Sequence, residues 1–195
     1  MAREDQKMRS DAVRQAILDT ALDIGLREGF EALSIRKIIG RMKYSTGVVY
    51  HYFKDKQEVI DAVEASETAW LSGEIRAILN EETDALSGML AVFRRVMRLA
   101  VEEPERYNLI VLHKYARKKP GATPWIAHLS ETLRAEMESG RLRRMDPARA
   151  AFSVWSSFLG FNLMISRQQG ITLEAAGALF ETQADIILKG MLKDA

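Results

Sequence analysis

The segment Ser34–Val59, SIRKIIGRMKYSTGVVYHYFKDKQEV, decides the fold of this chain. Ser34 is a residue type that caps helices, and three isoleucines follow it at helical spacing. After a tight turn, Ser45 or Thr46 begins another short helix that ends near Tyr52. Two short helices joined in this way are typical of a helix-turn-helix unit, whose second helix enters the major groove of DNA.

The second helix of this unit carries side chains suited to that contact. Small and hydroxylated residues begin it, so a base edge or a phosphate can come close, and polar aromatic residues supply donors one turn later. Two lysines flank the start of the next helix, where backbone N–H groups also attract phosphate. The residues predicted to bind DNA are Ser34, Arg36, Lys43, Ser45, Thr46, Gly47, Tyr50, His51, Lys54 and Lys56.

Some residues of the segment have an ordinary structural explanation. Val49 and Phe53 are predicted to lie in the core, and Tyr52 to pack against the first helix rather than touch DNA. Helix capping alone accounts equally well for Ser34 and Ser45.

The charges change sign along the chain, although the net charge is only +1. Residues 34–56 carry six Lys or Arg against one Asp, whereas residues 57–93 carry eight acids against one Arg. This distribution favours a protein with one phosphate-binding face, while the rest of its surface does not bind phosphate. A solvated helix face would also give a run of basic residues.

The rest of the chain is predicted to be helical, with no strand. The first helix is capped by Ser10 or Asp11 and ends at Gly29 in the left-handed conformation. Asp55 and Glu58 form a capping box for a fourth helix that reaches about residue 80. Further helices are predicted at 83–102, 104–115, 124–139, 147–168 and 172–192, and the three beginning at 104, 124 and 147 have proline as first residue.

Other function classes find little support in the residues. The 195-residue chain has no cysteine, and its three histidines are scattered without metal-ligand spacing. No phosphate-binding loop or nucleophile arrangement is present, so we expect neither an enzyme nor a cofactor. Residues 150–166 carry no charge, but their serines and Asn162 favour a protein-buried helix over a membrane span. The polar N-terminus is unlike a signal peptide, and we expect a cytoplasmic location.

The segment from Ser45 to Val59 resembles the recognition helix and following helix of the TetR family of transcriptional regulators. The likeness extends upstream through Ala16, Ala21, Gly29 and 34–38, and more weakly downstream through 140–142, 146–147, Trp155 and Gly160. It implies nine helices, a DNA-binding domain at 1–56, and a ligand-binding and dimerisation domain at 57–195. Lys43, Ile39 and Val48 depart from the family pattern. Because of Lys43 and Ile39, a helical ligand-binding or adaptor protein without DNA binding is the alternative.

The last two helices are predicted to pair two subunits. Small residues recur at four-residue spacing on the first, and the second has a long apolar stripe. Burial within one chain would give the same pattern. The predicted interface residues are Phe152, Trp155, Ser156, Leu159, Gly160, Leu163, Phe180, Ala184, Ile187 and Met191.

A ligand cavity is expected among large apolar residues with a few polar groups. The candidates are Met97, Val101, Tyr107, Ile110, Val111, Lys114, Trp125, Leu129, Leu133 and Asn162. Ordinary core packing explains most of them equally well. A cationic run at 113–119 could attract an anion, although a solvated helix end is the simpler reading.

The function expected from these observations is a homodimeric repressor that binds a palindromic operator in double-stranded DNA. A small-molecule effector would move the helix that starts at Lys56 and change the separation of the two recognition helices. Activation in place of repression is left open.

Overall fold

The structure is a computed structural model that describes residues 2–42, 44–113 and 124–193. These residues form nine α-helices, as the sequence predicts: α1 (Ala2–Glu28), α2 (Ile35–Arg41), α3 (Thr46–Tyr52), α4 (Lys56–Glu81), α5 (Ala85–Glu102), α6 (Pro104–Tyr107), α7 (Pro124–Glu138), α8 (Pro147–Ser166) and α9 (Leu173–Met191). The described ranges hold no strand, only an isolated bridge between Leu142 and Leu192. The predicted all-α fold class is confirmed.

Local capping explains where several helices begin. The Ser34 hydroxyl accepts a hydrogen bond from the Lys37 backbone N–H, as predicted for α2. The Asp55 carboxylate accepts one from the Glu58 N–H at 2.9 Å, and the Glu58 carboxylate in turn accepts one from the Lys54 N–H at 2.6 Å. Prolines begin α6, α7 and α8, so their missing N–H groups cost no helical hydrogen bond.

Three local predictions need correction. Helix α1 begins at Ala2 and not at Ser10 or Asp11, because residues 2–9 are mostly good helix formers that extend it. Gly29 has the expected positive φ of 83°, but its ψ of 144° is extended, and it precedes a 3₁₀ turn over Phe30–Ala32. The predicted helix 104–115 is an α-helical turn followed by a π-helix over Asn108–Leu112.

A first buried cluster, here called the N-terminal core, holds α1–α3 against the start of α4. One stripe of α1 supplies Ile17, Ala21 and Ile24, all 0% exposed. Leu109 of the π-helix also reaches into this cluster. Its buried members are Ile17, Leu18, Ala21, Ile24, Leu33, Ile38, Val49, Phe53, Val59, Ile60, Val63 and Leu109.

Helix α5 is the centre of the body and contacts α4, α6, α7, α8 and α9. Its Phe93 stacks on Phe158 of α8 with ring centroids 4.2 Å apart, and Phe158 contacts Phe180 of α9. These rings belong to a second cluster, the C-terminal core, that joins α5, α7, α8 and α9. A third cluster around Leu99 and Tyr107 joins α4, α5 and α6. No described helix, α8 included, combines the length and apolarity of a membrane-spanning segment.

Candidate functional site

The two helices α2 and α3 are fixed by what they bury. Ile38 of α2 and Val49 of α3 are each 0% exposed, and Phe53 just after α3 is 2% exposed. The Met42 N–H closes α2 by donating to the carbonyls of Ile38 and Ile39 at 3.1 Å. Because the buried residues lie on one side of α3, its other side is free to meet a partner. The predicted core positions of Val49 and Phe53 are confirmed.

The outer side of α3 is polar and exposed. Ser45, Thr46, Gly47, Tyr50 and His51 all lie there, and Tyr50 is 54% exposed. The Ser45 hydroxyl makes no capping bond to α3, unlike that of Ser34, so it is available to an external group. Nothing among the described residues requires a glycine at 47, since an added Cβ would meet only the Ser45 hydroxyl oxygen there, at 3.9 Å. A glycine at the start of this exposed helix therefore suits the close approach of another molecule.

Tyr52, next to this outer side, is held by the protein itself. Its hydroxyl lies 3.1 Å from the Ser10 hydroxyl of α1, and its ring packs against the N-terminal core. The prediction that Tyr52 packs on the first helix is confirmed.

The basic residues of this region fall into two groups. Arg41 pairs with Asp23 and Glu28 of α1, each at 2.6 Å, and Lys37 pairs with Glu28 at 2.7 Å. The Lys37 hydrogen bond and the Arg41 charge lower the pKa of Glu28. These two cations therefore hold α2 against α1.

The second group of cations contains two exposed residues, Arg36 and Lys54, and the half-buried Lys56. Within the described ranges Arg36 and Lys54 have no ion pair. Lys56 is half-buried, and its ammonium donates to the Glu31 carbonyl at 2.7 Å. Lys43 lies outside the described residues. Arg36 and Lys54 are thus free for phosphate, whereas Lys56 is partly used within the fold.

A cavity of about 110 Å³ lies in the body between α4, α5, the π-helix, α7 and α8. Its walls are almost entirely aliphatic and aromatic. The lining residues are Leu71, Ile75, Leu79, Ala85, Met89, Val92, Phe93, Val96, Ile110, Val111, Trp125, His128, Leu129, Thr132 and Trp155.

The structure places the candidate ligand-binding residues in several different parts of the body. Ile110, Val111, Trp125 and Leu129 line the cavity, and Tyr107 and Asn162 line a smaller pocket that shares part of its wall. Met97 and Leu133 are buried in the C-terminal core, Val101 is half-buried against it, and Lys114 lies outside the described residues.

Sequence reasoning missed the walls that α4 and α5 provide. Leu71, Ile75 and Leu79 recur at four-residue spacing on α4, which is a detectable stripe, but the same spacing describes any core-facing helix. Trp155, which was predicted at the dimer interface, lies in the cavity wall.

Comparison with known proteins agrees with this geometry. Residues 17–63, which span the C-terminal part of α1 to the first part of α4, match the family model of bacterial regulatory proteins, tetR family. The transcriptional repressor AcnR of Corynebacterium efficiens is 26% identical over 142 residues, which cover 67% of this chain and 69% of that repressor.

The solved structures share the whole architecture. A TetR-family regulator from Pectobacterium atrosepticum superposes with a TM-score of 0.72 at 19% identity, covering 96% of this chain and 97% of the other. AibR in complex with isovaleryl coenzyme A and operator DNA gives 0.65 at 21% identity, covering 92% and 98%. Residues 17–63 therefore match the TetR family, and the described residues share the fold of its solved structures. The resemblance seen in the sequence is thereby confirmed.

Two buried acids connect the middle of α4 to the segment around the π-helix. Glu64, 5% exposed, lies 2.8 Å from Nδ1 of His113, and Glu67, 8% exposed, pairs with Arg106 at 2.7 Å. Burial raises the pKa of Glu67, and the Arg106 guanidinium opposes that rise. The Arg106 guanidinium also lies 4.9 Å from the centroid of the Trp70 ring. Displacement of the π-helix would therefore pull on α4.

The outer sides of α8 and α9 expose large apolar side chains. The sequence analysis predicted only some of these residues at an interface. Phe152 is 63% exposed, Met164 75% and Ile186 65%. Of the residues predicted at the interface, Ser156, Gly160 and Leu163 are also exposed, and Leu159 and Ile187 are half-buried.

The apolar stripe of α9, which was predicted to lie at the subunit interface, is instead buried within the protomer. Phe180, Ala184 and Met191 are at most 6% exposed and pack in the C-terminal core of their own protomer. The opposite side of α9, with Leu179 50% exposed, faces outward because the protomer needs the continuous stripe for its own packing.

Proposed function

We propose that the chain is a dimeric transcriptional repressor that binds a palindromic operator through α3 and leaves it when a small molecule enters the body. The observation that carries this proposal is the outer side of α3: hydroxyl, imidazole and phenol groups stand exposed on a short helix whose other side is fixed by Val49 and Phe53. Groups of these kinds contact base edges and phosphates.

The DNA contacts that we propose follow from this exposure. Residues 45–47, Tyr50 and His51 face the groove, and Arg36 and Lys54 contact phosphates. Ser34 and Lys56 are also proposed to contact DNA, as the sequence suggested. Each already makes one contact within the fold: the Ser34 hydroxyl caps α2, and the Lys56 ammonium donates to the Glu31 carbonyl. We keep the division into residues 1–56 and 57–195 as part of the proposal.

The second subunit is proposed to cover the outer sides of α8 and α9. Phe152, Met164, Leu179 and Ile186 form an apolar surface there that water solvates poorly. A two-fold dimer would place two copies of α3 on successive major grooves, roughly 34 Å apart. A palindromic operator matches this symmetry.

Release by a ligand is proposed to run through the π-helix and α4. Ile110 and Val111 line the cavity, while the preceding residue, Leu109, is buried in the N-terminal core. Three residues of α4 also line the cavity, and the same continuous helix begins beside α3. A ligand that binds more tightly to the displaced arrangement would shift the population away from the DNA-binding state.

The names of the relatives support repression as the output. AcnR is named a transcriptional repressor, and the AibR complex contains both a coenzyme A thioester and operator DNA. The matched family consists of regulatory proteins, and we assign the chain no catalytic role. A cytoplasmic location stays a prediction.

The experiment is fluorescence anisotropy of labelled DNA from upstream of the chain's own gene, over a series of salt concentrations. We expect saturable binding that a scrambled sequence does not compete, with affinity falling steeply as salt rises. Equal affinity for scrambled DNA would contradict an operator-binding function, and absence of any DNA binding would favour a helical ligand-binding protein instead.

A further inference from the structure

The cavity wall contains no charged side chain among the residues described. Its polar members are His128 and Thr132 on α7, and the Thr132 hydroxyl already donates to the His128 carbonyl at 3.1 Å. An ionised ligand group placed here would lose its hydration without gaining a counter-charge. The described part of the wall therefore selects against anions and cations.

The size of the cavity limits the ligand further. Its volume is about 110 Å³. Apolar cavities of roughly 150 Å³ accept benzene, so this one fits a single ring with modest adjustment of its walls. Trp125 and Trp155 both contribute to the wall, and aromatic rings pack well against such faces.

One buried polar group lies beyond this apolar space. Asn162 is 2% exposed, and its side-chain carbonyl oxygen has no hydrogen-bond partner among the described residues. It lines a pocket of about 10 Å³ that shares Phe93, Val96, Val111 and Trp155 with the main cavity. An unpaired buried acceptor is unfavourable, so a ligand donor that reached it would be bound selectively.

We propose that the effector is an uncharged single-ring aromatic molecule whose ring fills the main cavity and whose one hydrogen-bond donor reaches the Asn162 carbonyl oxygen across the shared wall. This inference rests on the proposed function, since it names the ligand class of the same body cavity.

Three probes of matched shape test the inference: 4-methylphenol, toluene and 4-methylbenzoate. They differ only in carrying a donor, no polar group or a negative charge. Binding is followed by tryptophan fluorescence excited at 295 nm, because two of the three tryptophans line the cavity. We expect the phenol to bind several-fold more tightly than toluene and at least about tenfold more tightly than the benzoate.

Variants locate the site. Val92→Phe should weaken all probes by about tenfold or more by filling the cavity, whereas Val101→Phe, also half-buried on α5 but outside the wall, should not. Asn162→Leu should remove the advantage of the phenol over toluene. Thermal unfolding confirms that each variant is folded. If Asn162→Leu does not fold, the ranking of probes by the unmodified chain decides the question alone.

Three results would overturn the inference: benzoate binding as well as the phenol, an unchanged ranking in Asn162→Leu, or no binding of any probe at millimolar concentration. Operator binding measured on the same preparation separates the two proposals. Operator binding without probe binding would contradict only the proposed ligand class. Probe binding without operator binding would contradict only the proposed regulatory function.

Discussion

Helix α3 and the α8–α9 pair both leave large side chains exposed, but the exposed groups differ in kind. The first exposes Tyr50 and His51 beside small hydroxylated residues, and the second exposes Phe152, Met164 and Ile186. Polar aromatic groups suit a hydrated, charged partner such as DNA, whereas aliphatic and phenyl groups suit an apolar protein surface. Each surface therefore indicates the chemistry of its own partner.

The largest effect is expected when the apolar surface receives a charge. Phe152→Glu should produce a monomer at micromolar concentration and weaken operator binding by at least about 100-fold, because the two half-sites would no longer be bound together. Light scattering measures the mass. Met8→Glu is the matched control, since Met8 is 64% and Phe152 63% exposed, but Met8 lies on α1. A dimeric Phe152→Glu protein would contradict the assignment of this surface.

The inner side of α8 should respond in stability instead. Phe158 is 1% exposed between Phe93 and Phe180, so Phe158→Ala should lower the free energy of unfolding by about 3–5 kcal/mol. Urea denaturation measures it. A loss below about 1 kcal/mol would mean that the aromatic cluster does not carry the packing described for it.

The two groups of cations near α3 should separate in their salt dependence. Lys54→Ala should lower the slope of log affinity against log salt by about 1, because one phosphate contact is lost. Lys37→Ala should leave that slope unchanged, since its ammonium is paired with Glu28. Equal changes in slope would show that pairing within the protomer does not decide which lysines reach DNA.

The smallest effect concerns a surface ion pair far from DNA. Hydrogen bonds from Arg141 and from the Ser87 backbone hold the pKa of Asp84 at about 2. Since the folded state favours the ionised form, this stabilisation is present above the unfolded pKa of about 3.9 and is lost as pH falls toward 2.

Asp84→Asn tests this assignment while keeping an N-cap for α5. Solvent screens the exposed pair, so the variant should be less stable by under about 1 kcal/mol near pH 7. The difference from the unmodified chain should shrink as pH falls below about 4. Urea denaturation at several pH values measures this difference in unfolding free energy. A difference that does not change with pH would show that the Asp84 carboxylate is not its source.

The DNA-binding region could be predicted closely because its signals are polar and local. Ser34 and Asp55 act as predicted caps, and polar aromatics on a helix as short as α3 have few reasons to exist other than contact. The extension of α1 was missed because Ser10 resembles a cap but instead contacts Tyr52.

The body could be predicted only as a set of helices, because one apolar pattern serves three purposes. A residue in the core, in a cavity wall or on a subunit surface is drawn from the same types at the same spacing. Trp155 and Phe180 were therefore predicted at the interface although one lines the cavity and the other is buried. The π-helix is also invisible in the run NLIVL, which any helix accommodates.

Two neighbouring tyrosines provide the most direct test that the outer side of α3 binds DNA. Tyr50→Phe should weaken binding to the operator by about tenfold without changing the melting temperature, since the Tyr50 residue is 54% exposed. Tyr52→Phe should leave affinity unchanged and cost about 1 kcal/mol of stability, since its hydroxyl contacts Ser10. Anisotropy and thermal unfolding of both variants measure this. Unchanged affinity in Tyr50→Phe together with weakened binding in Tyr52→Phe would contradict the account.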